Sequence, residues 1–288
     1  MSEYKIITDS GCDILPEMLK EWGVPFENLN VKFESDTIES ANNEMDPKSF
    51  YDRMRAGEVA KTSAVNVEQF IRLFKKELDA GYDVLYLGFS SGISNTYNAG
   101  RLAVEQIKEE YPDRKIYAFD SLQASAGQGL MLYLALEKQK AGAAIEELAA
   151  YLEEIRMSVA AWFTVDDLVY LKRGGRISPA LAFVGGALGI KPVLHVDNEG
   201  HLVNVTKVRG RKAAIKVLAD KYNETALDHK DGRVFISHGD CIDDANLLAD
   251  MIKEKAGHTV DIITYVGPVI GAHSGPGTLA LFFVGKER

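Results

Sequence analysis

Gly88-Phe89-Ser90-Ser91-Gly92 fits G-x-S-x-G, the strand-to-helix turn that presents a nucleophilic serine in α/β hydrolases. On that reading Ser90 would attack an ester carbonyl. Two features weigh against it. No HGG-type segment precedes the turn, since His238-Gly239 lies far downstream, and Gly92-Ile93-Ser94-Asn95-Thr96 intervenes before the next helical pattern. The same turn also reads as an anion seat. Ser91, Ser94 and Thr96 bring small hydroxyls to the end of a strand and the start of a helix, where free backbone N–H groups and the helix dipole favour negative charge. Ser94 and Thr96 equally suit simple helix caps. The local sequence leaves cap and anion seat level.

Lys61-Thr62-Ser63-Ala64 is a second hydroxyl pair, just ahead of a helical stretch. Alone it reads as a cap. Brought beside Ser94 by a fold, Thr62 would supply the second of two hydroxyls that hold one carboxylate without a permanent ion pair. Lys172-Arg173-Gly174-Gly175-Arg176-Ile177-Ser178 sets three cations around two glycines. That pattern suits a phosphate, because glycine permits close backbone approach and arginine grips phosphate with two N–H groups. A solvated basic turn is the plain alternative. His273 stands in a Gly/Pro-rich loop, Gly267 to Gly277, from which it can donate to a carboxylate or phosphate, titrate near neutrality, or only fix its own loop. The stretch from Leu181 to Ile190 is apolar and glycine-rich, and reads either as a buried segment or as one wall of an apolar pocket.

Other chemistries find no support. Neither G-x-x-x-x-G-K-[ST] nor G-x-G-x-x-G occurs, so no nucleotide site is expected. His195, His201, His229, His238 and His258 show no zinc spacing, and no metal or cofactor is expected. Asp9 and Asp120 follow strands and read as caps.

The elements that position these groups follow from hydrophobic period. Tyr4–Thr8 is strand-like, and Asp13 is the expected cap of a helix through Leu15, Met18, Leu19 and Trp22. Asp46-Pro47 opens a second helix. Asn66 opens a third, with Val67, Phe70, Ile71, Phe74 and Leu78 on one face before Gly81. A buried strand at Asp83–Phe89, a helix through Leu102, Val104 and Ile107, a strand at Lys115–Phe119 and a long helix to about Gln139 complete the run. This alternation predicts an α/β fold whose N-terminal domain, residues 1–157, is a doubly wound parallel sheet.

Residues 158–288 change character. Two alternating stretches within Pro192–Val208 flank Asp197-Asn198-Glu199-Gly200 and predict a hairpin. Helix 210–223, strand Arg233–Ser237, helix 243–256 and strands Val260–Tyr265 and Thr278–Val284 predict a C-terminal α/β domain with a mixed sheet, packed directly on the first. Two domains agree with 288 residues at roughly 150 per domain.

The net charge of −9 argues against a nucleic-acid binder, and it is uneven. Residues 1–154 hold 16 Lys and Arg against 27 Asp and Glu, whereas residues 155–288 hold 17 against 15. No apolar run reaches the ~18–20 residues that span a bilayer, and Met1-Ser2-Glu3-Tyr4-Lys5 is no secretory signal. Cys12 and Cys241 fit neither a disulfide framework nor a C-x-x-C site. The expected setting is reducing cytoplasm.

Six segments recur here in a familiar order: Ile7-Thr8-Asp9-Ser10; Lys61-Thr62-Ser63 with Phe70; Ser90-Ser91-Gly92-Ile93-Ser94-Asn95-Thr96-Tyr97; Asp120-Ser121 with Gly127-Gln128-Gly129; Leu171 through Ile177; and Gly271-Ala272-His273 with Gly275-Pro276-Gly277. Across essentially its whole length the chain resembles the DegV family, the fatty-acid-binding subunits of bacterial fatty acid kinase. Two departures are visible. Asn95 stands where the family usually has glycine, and Ser40–Met45 lacks an Asp-Gly turn.

The resemblance implies two α/β domains clasping one long-chain fatty acid of about 16–18 carbons, its tail in a tunnel and worth ~0.8 kcal/mol per buried methylene. The family's carboxylate contacts fall on Thr62 and Ser94, with Ser91, Thr96 and His273 alongside. Its cations near the mouth fall on Arg173 and His273, with Arg176 and Lys172 beside them as phosphate or partner contacts. The chain itself would bind no ATP. A separate fatty acid kinase catalytic subunit would phosphorylate the carboxylate, and the acyl-phosphate would pass to an acyltransferase of phospholipid synthesis, with transient membrane contact. A Ser90 hydrolase is the competing expectation, and a regulatory lipid sensor a third.

Overall fold

The computed structural model describes residues 3–178, 189–229 and 231–288. β1 (Tyr4–Asp9) leads into a 3-10 turn, Ser10–Cys12, and then α1 (Pro16–Glu21). Asp13 does not cap α1. It takes a left-handed conformation (φ 49°) that closes the 3-10 turn, its side chain is buried, and Leu15 occupies the N-cap. β2 (Phe26–Glu27) follows, then β3 (Asn30–Phe33) and β4 (Ser40–Ala41). The Ser40–Met45 segment turns without Asp-Gly, through a Glu44 N–H to Ala41 carbonyl bond of 3.0 Å.

α2 (Pro47–Arg55) starts as its sequence predicts, with Asp46 accepting from the Ser49 N–H at 2.8 Å and proline in the first turn. β5 (Ala60–Ser63) places Lys61-Thr62-Ser63 in a strand, where a helix cap was the plain expectation. α3 (Val67–Asp79) has the reciprocal capping box of Asn66 and Gln69. β6 (Asp83–Gly88), α4 (Thr96–Ile107), β7 (Ile116–Asp120), α5 (Ala126–Lys140) and α6 (Ile145–Ile155) complete this part.

The remaining elements are β8 (Val159–Thr164), α7 (Val169–Arg173), β9 (Ile190–Val196), β10 (Leu202–Arg209), α8 (Arg211–Thr225), β11 (Val234–His238), α9 (Ile242–Ala256), β12 (Ile262–Tyr265), α10 (Pro268–Ser274) and β13 (Leu279–Val284). The segment around His273 is therefore a short helix and not a loop. The division expected at residue 157 falls between α6 and β8.

β2-β1-β6-β7 form an all-parallel sheet. Side chains of β1 and β6 alternate between its faces. Ile7, Val84 and Tyr86 pack with residues of α3 and α4, whereas Ile6, Leu85 and Leu87 pack with α5 and α6. Helices thus cover both faces. The second sheet, β10-β9-β8-β13-β11-β12, is mixed, with β11 and β12 its one parallel pair. One of its faces, with Trp162, Leu281 and Phe283, is covered by α8 and α9. The other, with Phe163, Phe235 and Phe282, shares a core with α5. α5 is buried on nearly every side because a sheet lies against each flank. β4-β3-β5 make a small antiparallel sheet that packs with α2 against α10.

Candidate functional site

The helices after β1 and β6 lie on opposite faces of the parallel sheet, so the crossover direction switches between these adjacent strands. A crevice at the strands' C-terminal ends is the result. Asp9 ties that edge together. It is fully buried and accepts from Tyr86 Oη (2.7 Å), the Phe89 N–H (3.0 Å), the Gly11 N–H (3.0 Å) and Gln128 Nε2 (3.3 Å). Burial pushes its carboxyl upward, and these donors pull it back. The sequence reading of Asp9 as a cap covers only one of the four bonds.

A cavity of about 220 Å³ opens at this edge, between the parallel sheet and the inner face of the mixed sheet. One water needs only about 10–15 Å³ of such space, so this is a ligand-sized chamber and not a packing flaw. Ala161, Phe163, Val196, Leu202 and Phe282 of the mixed sheet line it, together with Phe89, Ile93 and Ile270. Thr62, Ser94, Arg176 and His273 also line it. These four come from β5, the β6–α4 turn, the segment after α7, and α10.

Their hydrogen bonds are ordered in pairs. Thr62 Oγ1 lies 2.8 Å from His273 Nε2. With the proton on Nε2, His273 donates to Thr62, and the Thr62 hydroxyl is left to donate into the cavity. Burial, then the nearby Arg176 charge, push the His273 pKa down to about 4, so the ring is neutral at pH 7. Ser94 Oγ lies 2.9 Å from Thr96 Oγ1 and accepts from the Thr96 N–H at 3.2 Å. Thr96 is fully buried, so its hydroxyl can donate to Ser94 and leave the Ser94 proton for the cavity. With those protons, each of the two cavity-lining hydroxyls is backed by a second side chain. Arg176 is half-buried, and its Nε and Nη1 donate to the carbonyls of Ile93 and Gly174. Gly174 packs so closely on His273 that a Cβ there would overlap Nδ1, which joins the basic loop to the histidine.

The other candidates lie elsewhere. Ser91 is exposed, and its N–H donates to Asp120 Oδ1 at 3.2 Å. Thr96 stands behind Ser94 without lining the cavity. Lys172 and Arg173 are exposed in the last turn of α7, with the Arg173 guanidinium 5.7 Å from the centre of the Tyr170 ring. Asn95 has φ −80°, a conformation open to any residue, so the departure from glycine imposes no backbone cost. The apolar stretch from Leu181 lies outside the described residues up to Leu188.

Ser90 is fully buried, and its hydroxyl donates to the Gly200 carbonyl at 3.0 Å. It is not among the residues with positive φ, whereas a nucleophile elbow needs a strained, exposed serine. Its role is to dock the β9–β10 turn. Gly92 makes the same junction, because a Cβ there would lie 2.7 Å from the Glu199 carbonyl oxygen.

Sequence reasoning missed the groups that hold α10 in place. Asn42 Nδ2 donates to the Ser10 carbonyl (3.1 Å), and its Oδ1 accepts from the Val269 N–H (2.8 Å). Tyr51 Oη donates to the Val266 carbonyl at 2.7 Å. Neither residue stood in a recognisable motif. Among the described residues no cluster of His, Cys, Asp and Glu could hold a metal ion, and no helix is long and apolar enough to cross a membrane.

A profile of the DegV family, a family described as uncharacterised, matches residues 3–286. A DegV domain-containing protein of Clostridium perfringens is 40% identical over 289 residues, covering 100% of this chain and 99% of that protein. Among solved structures, Bacillus subtilis DegV, described as a fatty acid binding protein, superposes with a TM-score of 0.85 at 32% identity over 99% of this chain and 100% of the other. A stearic acid-binding protein of Eubacterium ventriosum superposes with a TM-score of 0.88 at 25% identity, covering 98% of each chain.

Proposed function

This chain belongs to the DegV family, and we propose that it binds one long-chain fatty acid in the cavity between its parallel and mixed sheets, with the carboxylate held by the Thr62 and Ser94 hydroxyls. The observation that carries this reading is the pairing of an apolar chamber with two lining hydroxyls, each within hydrogen-bond distance of a second polar side chain. Burial of about ten methylenes is worth roughly 8 kcal/mol before the cost of association, so the tail supplies the affinity. The hydroxyls then need only orient the head group. The Eubacterium ventriosum protein, described as binding stearic acid, supports a ligand of about 16–18 carbons.

On this reading the chain performs no chemistry of its own and requires no cofactor. A separate ATP-dependent kinase subunit phosphorylates the presented carboxylate, and the acyl-phosphate moves on to an acyltransferase of phospholipid synthesis in the cytoplasm. Hydroxyl contacts suit this task, because a carboxylate locked in a salt bridge would be a poorer nucleophile. Arg176 lies at the cavity, where it could meet charge developing on an incoming phosphate. Lys172 and Arg173 are exposed on α7 and suit an acidic face of the kinase. Division of the chain into units 1–157 and 158–288 is part of the same proposal.

Denaturing extraction of the purified protein followed by lipid mass spectrometry tests the reading directly. A near-stoichiometric long-chain fatty acid is the expected result. Protein that carries none, and takes none up from added palmitate or stearate, would overturn it.

A further inference from the structure

The cavity has a second polar region, built from elements other than those that carry Thr62 and Ser94. Ser125, Ser237 and Ser274 line it, from the N-cap of α5, from β11 and from α10. Ser125 is held at φ 54°, ψ −146°, a region a serine adopts only when its surroundings enforce it. Its hydroxyl lies 2.5 Å from Asp13 Oδ2 and 2.9 Å from Ser237 Oγ. Ser237 is opposite Ala280, and Ala280 is opposite Phe163, so the cluster interrupts an otherwise apolar floor. Ser274 is 5% exposed, and among the described residues its hydroxyl has no hydrogen-bond partner.

Counting protons shows what this cluster can accept. Ser125 has one hydroxyl proton and two oxygen neighbours. If Asp13 is ionised, Ser125 donates to it and Ser237 donates to Ser125, which leaves Ser237 Oγ able to accept one more hydrogen bond. If Asp13 is protonated, the chain reverses and the Ser237 proton is the one left to donate. Burial pushes the Asp13 pKa up to about 7, so both states are populated near neutrality. A hydroxyl group, donor and acceptor at once, matches either state. A carbonyl oxygen matches one, and a methylene neither. Ser274 also lines the cavity, and its buried hydroxyl is unpartnered among the described residues.

We propose that the Ser125–Ser237–Ser274 cluster, backed by Asp13, is a second recognition point that reads a hydroxyl borne on the acyl chain, so that hydroxy fatty acids are favoured occupants. The inference rests on the fatty-acid reading above and adds a ligand class to it.

The test is a competition. The full-length protein is incubated with an equimolar mixture of stearic acid and one hydroxystearic acid, repurified, extracted and analysed by mass spectrometry. A set of isomers with the hydroxyl stepped along the chain is run in turn. The expected result is an enrichment on the order of ten-fold for one or two neighbouring mid-chain positions. The bound ratio should fall to parity or below in Ser237→Ala and in Ser274→Ala. Ser274→Ala removes a group without a partner, so its folding is not at risk. Stearic acid retained with no isomer enriched, or an enrichment that survives both substitutions, would overturn the inference and leave the fatty-acid reading standing. If neither acid is retained, both fall together.

Discussion

Thr62 and His273 stand 211 positions apart in sequence, and their side chains meet at 2.8 Å beside the cavity. The contact exists because β5 packs against α10, and Asn42 and Tyr51 hold that helix at both its start and its approach. It makes the proposed head-group site a joint product of the small sheet and the C-terminal part.

Thr62→Ala and Ser94→Ala should each lower retained fatty acid, by about ten-fold in affinity for one hydrogen bond to a carboxylate. Lipid mass spectrometry of the purified variants checks this. Retention unchanged in the double variant would place the carboxylate elsewhere.

On the kinase role proposed above, Arg173→Ala should spare fatty-acid retention and slow formation of acyl-phosphate when a fatty acid kinase subunit and ATP are supplied. Its exposed position away from the cavity is the reason for that split. Loss of lipid binding in this variant would contradict it.

The buried groups His273 and Asp13 should tilt the pH dependence of stability in opposite directions. His273 has its pKa lowered to about 4 from an ordinary value of ~6.5. Between these values the unfolded chain binds a proton that the native state does not, so stability falls as pH drops through the window. Asp13 is pushed up to about 7 from ~3.9. There the native state keeps a proton the unfolded chain has lost, and stability falls as pH rises. Relative to the parent, His273→Gln should therefore gain stability on acidification from pH 6.5 to 4, and Asp13→Asn on going from pH 4 to 7. Denaturant titrations across that range read both slopes, and parallel curves for parent and variants would refute the assignment.

Gly100→Ala should destabilise the protein by roughly 1–3 kcal/mol, because its Cβ would overlap the fully buried Tyr86 ring. Tyr86 donates to Asp9, so displacement of the ring also disturbs the crevice edge. Urea unfolding gives the first effect and lipid content the second. A neutral substitution would show that α4 can shift freely.

Ser90→Ala should cost about 1 kcal/mol by leaving the Gly200 carbonyl without its donor. The parent protein should show no esterase turnover and no labelling by a fluorophosphonate probe. Labelling at Ser90 would revive a hydrolase.

The sequence alone determined those features that depend on neighbours along the chain. The Asp46-Pro47 start of α2, the Asn66–Gln69 box of α3, the β9–β10 hairpin and the alternation that makes a parallel sheet all arise within a few residues, from capping and side-chain period. Asp13 shows where that logic ended. Its type and position suit a cap, yet a partner 112 positions away, Ser125, claims the side chain. β5 resembles a cap in sequence for a related reason, since a short strand with Thr and Ser gains its identity only by pairing with β3.

The motif segments could be recognised in order, but not the distances between them. Thr96 behind Ser94, Arg176 at the cavity with Arg173 outside it, and the serines gathered around Asp13 follow from how α5 is clasped between two sheets and how α10 is seated. Packing of that kind sums many long-range contacts, none of which leaves a trace in the spacing of residues along one segment.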